Sequence, residues 1–166
     1  MSIRCGDTLL FQTPPVIAAG AAVGGKKEGE GPLGERFDYV AKNDRMGQRS
    51  WELAESELQK TAIRLALRKA TLPERSLDLI LAGDLLNQCI GATFGVRELG
   101  IPYLGIYGAC SNMAEGLLLS AFLAESGLRY LGVSTASHFC TAERQYRFPL
   151  EYGGQRTPTS QWTVTG

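Results

Sequence analysis

Tyr107-Gly108-Ala109-Cys110-Ser111-Asn112-Met113-Ala114 separates two apolar stretches of different kinds. Before it stands Pro102-Tyr103-Leu104-Gly105-Ile106, short and strand-like. After it runs Glu115-Gly116-Leu117-Leu118-Leu119-Ser120-Ala121-Phe122-Leu123-Ala124, helix-like and nearly all apolar. A turn of small residues thus places one thiol where a buried strand ends and a buried helix begins. The first turn of a helix has unpaired N–H groups and a partial positive charge of roughly +0.5. Such a position favours a thiolate or another anion.

Outward from this turn, strands and helices alternate. Leu77–Ala82, 102–107 and Arg129–Thr135 read as strands. Residues 85–99 read as a helix stopped by Gly100, and 111–126 as a helix stopped by Gly127. Glycine just past a helix end is the expected stop. The strands are apolar runs rather than alternating patterns, so the sheet is covered on both faces. Short connections between alternating elements predict a parallel α/β sheet with right-handed crossovers.

Upstream, residues 50–70 read as an amphipathic helix with Ser50 as N-cap and an apolar stripe of Leu58, Ala62, Leu65 and Ala66. Glu52, Glu55 and Glu57 stand early and Arg64, Arg68 and Lys69 late, matching the helix dipole. Residues 8–11 and Val16–Ala19 are strand candidates. The glycine-rich stretch 20–49 reads as a long ordered loop over the body, and 138–158 as another, before a final strand at 159–165. Gly91 and Gly95 share one helix face and predict close packing against the sheet or at a dimer contact.

Bulk properties narrow the function. The 166 residues suit one domain, with 44% hydrophobic and 20% charged residues. Lys plus Arg and Asp plus Glu balance at 17 each, so no basic excess points to nucleic acid. Cys5, Cys89, Cys110 and Cys140 show no Cys-x-x-Cys spacing, which suits reduced intracellular thiols and predicts neither a disulfide frame nor a metal site. No apolar run is long enough to span a bilayer. Gly20-Ala21-Ala22-Val23-Gly24-Gly25-Lys26-Lys27 nearly fits the phosphate-binding P-loop. However, Lys27 stands where Ser or Thr is needed, and Gly29, Gly31 and Pro32 break the helix that should follow.

Ligands of parallel sheets bind beyond the carboxyl ends of the strands. Three strands here end near a polar residue: Asp84, Cys110 and His138. Each has a plainer reading: Asp84 as N-cap of a helix at 85, Cys110 as a small buried residue, and His138 as a structural group. Cys89 reads as a buried residue within its helix. Asn87 and Gln88 follow Asp84 and can face the same edge. Glu143, Arg144 and Arg147 lie close behind His138. They read either as a solvated loop, favoured for Arg147, or as a carboxylate clamp.

The strand, the turn Ala109-Cys110-Ser111 and the apolar helix resemble the nucleophile region of the thiolase and ketoacyl-synthase superfamily. More specific words narrow this: Gly31-Pro32-Leu33-Gly34, Leu81-Ala82-Gly83-Asp84-Leu85-Leu86-Asn87-Gln88, Gly108-Ala109-Cys110-Ser111, Ser137-His138, Thr141-Ala142-Glu143-Arg144-Gln145 and Glu151-Tyr152-Gly153-Gly154-Gln155. Together they resemble the stage V sporulation protein AD family.

The resemblance implies a thiolase-like α/β fold with a parallel-rich mixed sheet and helices on both faces. Residues 1–166 would form the N-terminal half, one βαβαβ unit of a two-half fold. It implies a protein that binds dipicolinic acid (pyridine-2,6-dicarboxylate) without catalysis and serves dipicolinate uptake into the developing spore. Partners would be membrane proteins of the same operon. The location would be intracellular, soluble and peripheral to the forespore inner membrane. The pocket is implied around Asp84, Cys110 and His138, with no cofactor.

The alternative is an acyltransferase using Cys110. That chemistry needs a base and an oxyanion site beside the thiolate. The chain has one histidine, and in the superfamily the remaining catalytic groups come from the second half. An uncovered sheet edge and apolar face would then favour self-association as a homodimer.

Overall fold

In the computed structural model, which describes residues 2–143, Ile3–Cys5 (β1) and Thr8–Leu10 (β2) pair antiparallel as an exposed hairpin. The strand expected at Val16–Ala19 does not form. Val16 and Ile17 are exposed and no neighbouring strand takes up their backbone.

The glycine-rich stretch is more ordered than a loop. Val23–Gly24 (β3) runs parallel to Tyr39–Val40 (β4), around a four-residue helix Lys26–Gly29 (α1). The brevity of α1 agrees with the rejected P-loop reading. Asp38 ties the stretch down by accepting the Ala22 N–H at 2.9 Å and pairing with Lys69 Nζ at 2.6 Å. Lys69 also donates to the Gly20 carbonyl at 2.9 Å.

Trp51–Lys69 (α2) starts at Ser50, whose hydroxyl accepts the Leu53 N–H at 3.3 Å, as its N-cap position predicts. The apolar stripe lies elsewhere than expected. Leu58, Ala62, Leu65 and Ala66 are half-buried, while the buried face is Ala54, Glu55, Ser56, Gln59, Ile63 and Leu67. Half of that face is polar because it meets backbone and polar side chains that need partners. Periodicity alone, weighted by apolarity, selects the neighbouring face.

Leu79–Gly83 (β5) forms the centre of a three-stranded parallel sheet. The helix expected from residue 85 is delayed. A tight turn at Asn87–Cys89 intervenes, with Gln88 and Cys89 both left-handed (φ 61° and 52°), and Ile90–Arg97 (α3) begins only after it. Cys89 is buried, as expected, but it precedes the helix rather than lying within it.

Tyr103–Gly105 (β6) and Leu131–Thr135 (β7) flank β5 in the order β6-β5-β7, with Asn112–Glu125 (α4) between them in sequence. Gly100 and Gly127, at φ 64° and 111°, lie just past the ends of α3 and α4, where the sequence puts the stops.

Alternate residues of β5 face opposite layers. Ile80 and Ala82 join Ile63, Leu67, Ala92 and Val96 in one core beneath α2 and α3. On the other face α4 lies so close that a Cβ on Gly116 would sit 2.5 Å from Val133 Cγ1. Helices therefore cover both faces of a parallel sheet, as predicted. Gly91 and Gly95 serve helix–helix packing, not the expected sheet contact. A Cβ on Gly95 would lie 2.9 Å from the Ser56 carbonyl oxygen of α2, and Ser56 Oγ donates to the Gly91 carbonyl at 2.8 Å.

Candidate functional site

The three strand ends meet at Gly83-Asp84. The Gly83 carbonyl accepts the Ala136 N–H at 3.1 Å and the Gln59 side-chain amide at 3.3 Å. Asp84 is fully buried. Its Oδ1 accepts the Leu86 N–H at 2.7 Å, and its Oδ2 accepts the Ala92 N–H at 2.5 Å. Asp84 is thus not the N-cap of a helix at 85. It satisfies a free donor in the first turn of α3 from a distance, where the left-handed Cys89 offers no side-chain cap. Burial pushes its carboxyl above the ordinary aspartate value, against the pull of the two N–H bonds.

The turn Ala109–Ser111 is tight, with Ala109 left-handed at φ 49°. The buried Asn112 fixes it. Asn112 Oδ1 accepts the Gly108 N–H at 2.5 Å, and its Nδ2 donates to the Asp84 carbonyl at 3.4 Å. A Cβ on Gly83 would strike this same amide, so Gly83 is the residue that lets α4 start over the end of β5. Cys110 stands exposed on the turn just before α4.

His138 is buried at the end of β7. The Cys140 N–H donates to Nδ1 at 3.1 Å, so the ring proton sits on Nε2, which donates to the Asp44 carbonyl at 2.6 Å. Both ring nitrogens are thereby occupied. Thr141, in the wide turn Phe139–Glu143, donates to the buried Glu55 Oε2 at 2.6 Å.

Asp84, Cys110 and His138 do follow strand ends on one edge, but they do different work. Asp84 and His138 hold the backbone, and Cys110 faces outward. Asn87 and Gln88 are exposed on the turn before α3. Arg144, Arg147, the Glu143 side chain and the strand expected at 159–165 lie outside the described residues, as does most of the 138–158 loop.

A cavity of about 1120 Å³ opens beside His138. One wall is apolar, with Phe37, Leu58, Ala62 and Met113. The rim carries Lys26, Lys27 and Lys42, together with Glu28 and Asp44. Asp44 is engaged in accepting the Trp51 indole N–H at 3.1 Å, and Lys26 pairs with Glu30 at 3.9 Å. His138 lines this cavity; Asp84, Asn87, Gln88 and Cys110 do not. The sequence reading missed the lysines because they lie in the glycine-rich stretch, whose parallel β3–β4 pairing folds them over α2. It also missed Asn112, whose signal was its place one turn-length after Gly108.

No group of three or more Cys, His, Asp or Glu able to hold a metal ion occurs among the described residues. No helix among them is long and apolar enough to cross a membrane.

The family model of stage V sporulation protein AD matches residues 5–166. Stage V sporulation protein AD of Bacillus subtilis (strain 168) is 41% identical over 167 residues, covering 100% of this chain and 49% of that protein. The chain therefore spans about half the length of this curated relative. Among solved structures, 3-oxoacyl-[acyl-carrier-protein] synthase III from Aquifex aeolicus VF5 aligns with 52% of this chain and 30% of its own. The TM-score is 0.46 at 24% sequence identity.

Proposed function

Because the chain belongs to the stage V sporulation protein AD family, we propose that it serves sporulation by binding dipicolinate for uptake into the developing spore. Family membership supports the role in sporulation. The cavity beside His138 supports the ligand class. Dipicolinate is a flat aromatic ring with two carboxylates. It asks for an apolar wall against the ring and cations at the edge. Phe37, Leu58, Ala62 and Met113 offer the first, and Lys27 and Lys42 the second. Lysine supplies point charges with rotatable donors, suited to carboxylates held at a rim. In this reading Asp84, Asn112 and His138 keep the wall in place. The chain works at the forespore inner membrane beside membrane proteins of the same operon.

The observation that carries the reading is the convergence of lysines on a cavity with an apolar wall. Thermal unfolding with and without dipicolinate tests it. At 100 times the dissociation constant the ligand stabilises by about 2.7 kcal/mol. Lys27→Glu with Lys42→Glu should abolish the shift while leaving the unliganded melt unchanged. An unshifted melt of the parent protein at saturating dipicolinate overturns the reading.

A second reading, acyl transfer through Cys110, has one observation in its favour: an exposed thiol on a tight turn directly before a 14-residue helix. Against it, His138 has both ring nitrogens committed to backbone groups. Incubation with an acyl-CoA and mass spectrometry decides between them. A thioester on Cys110 supports transfer, and an unmodified thiol removes it.

A further inference from the structure

We propose that the exposed face of α4 is a self-complementary seam on which two copies of this chain dimerise, antiparallel about a two-fold axis beside Leu117 and Leu118. The helix is apolar nearly all round, which ordinarily means burial on every side. One face does pack on β5 and β7 through Gly116. The opposite face does not: Met113, Leu117, Leu118 and Phe122 are 44%, 42%, 58% and 37% exposed. Phe11 covers only an edge of Phe122, with ring centroids 5.7 Å apart.

These residues recur at the spacing of a continuous helical stripe, with Ala114 and Ala121 completing it. The stripe reads the same in both directions about the point between Leu117 and Leu118. Met113 matches Phe122, Ala114 matches Ala121, and Leu117 matches Leu118. Large meets large at the ends, leucine meets leucine at the axis, and alanine meets alanine between them. The alanine pairs permit helix axes about 8 Å apart, the close end of the usual range. Such symmetry in a side-chain pattern suits an isologous contact, in which the same patch serves both subunits.

Charge follows the same pattern. Extending the match outward places Glu125 of one copy opposite Cys110 of the other, at the positive start of its α4. A parallel arrangement would instead set the two Glu125 carboxylates side by side. The antiparallel dimer thus puts a carboxylate from the second copy beside each exposed thiol. Because Met113 also lines the cavity, the second copy borders that opening as well.

Sedimentation velocity of the 166-residue chain over a concentration series should show a monomer–dimer equilibrium. Leu118→Glu places two like charges at the axis and should raise the dimer dissociation constant at least about 100-fold. Leu118 is exposed in the monomer, so the circular dichroism melt of dilute protein should not change. Glu125→Cys supplies a second readout. Oxidised with diamide, it should yield a dimer whose cross-link maps between Cys110 and position 125 of different copies, and Cys110→Ser should remove it. A monomer at every concentration overturns the proposal. So does a dimer that survives Leu118→Glu, or cross-links joining 110 to 110 and 125 to 125.

Discussion

Asp84 Oδ2 accepts the Ala92 N–H at 2.5 Å, so a carboxylate at the end of the central strand sets the start of the helix eight residues later. Its second oxygen closes the intervening turn on Leu86. Asp84→Ala leaves both donors without this partner and should cost about 1–3 kcal/mol in urea denaturation. An unchanged urea midpoint would contradict the capping role.

The same carboxyl predicts a pH dependence. Its folded pKa lies above the ordinary value of 3.8 because burial disfavours the charge. A raised carboxyl pKa contributes stability that is fully present below 3.8 and lost as pH rises through the folded value. Asp84→Asn removes that titration. The stability advantage of the parent over Asp84→Asn should therefore narrow as pH rises from 3.8 upward. A constant difference across that window would refute the assignment.

Gly116 lies where α4 touches β7, with Val133 Cγ1 2.5 Å from the place of a Cβ. Gly116→Ala must push the helix off the sheet, at a cost of about 1–3 kcal/mol by overpacking. Pairing it with Val133→Ala should restore part of the loss. Double-mutant unfolding measures that coupling, and simple additivity would argue against the contact.

The cysteines should differ sharply toward iodoacetamide. Cys110 and Cys5 are exposed, whereas Cys89 is buried and its thiol is pushed up by burial and by the nearby Asp84 charge. Peptide mapping of folded protein should show Cys110 alkylated well before Cys89, and equal rates only after denaturation. Early modification of Cys89 would mean that the turn before α3 opens readily.

His138 links the end of β7 to the segment around Asp44 through its two ring nitrogens. His138→Phe keeps bulk but loses both bonds, at about 1–3 kcal/mol. Hydrogen exchange should rise around residues 41–46 and 138–141 while β5 stays protected. A uniform rise across the sheet would show that the link supports the whole domain.

What the sequence by itself determined is the alternation of parallel strands and helices, the stops at Gly100 and Gly127, the Ser50 cap and the turn carrying Cys110. Each of these depends on interactions within a turn or two of chain, where residue type and spacing state the physics directly. The tertiary structure alone decided that α3 starts at Ile90, because its capping carboxylate comes from Asp84 across the turn. It decided that α2 buries Glu55, Ser56 and Gln59, because their partners are Thr141, Gly91 and Gly83, far away in sequence. It also carried Lys27 and Lys42 to the cavity beside His138, through a two-residue parallel pairing too short to leave a pattern. Buried polar groups must find hydrogen-bond partners wherever the fold brings them, and a linear pattern does not record which distant segment that will be.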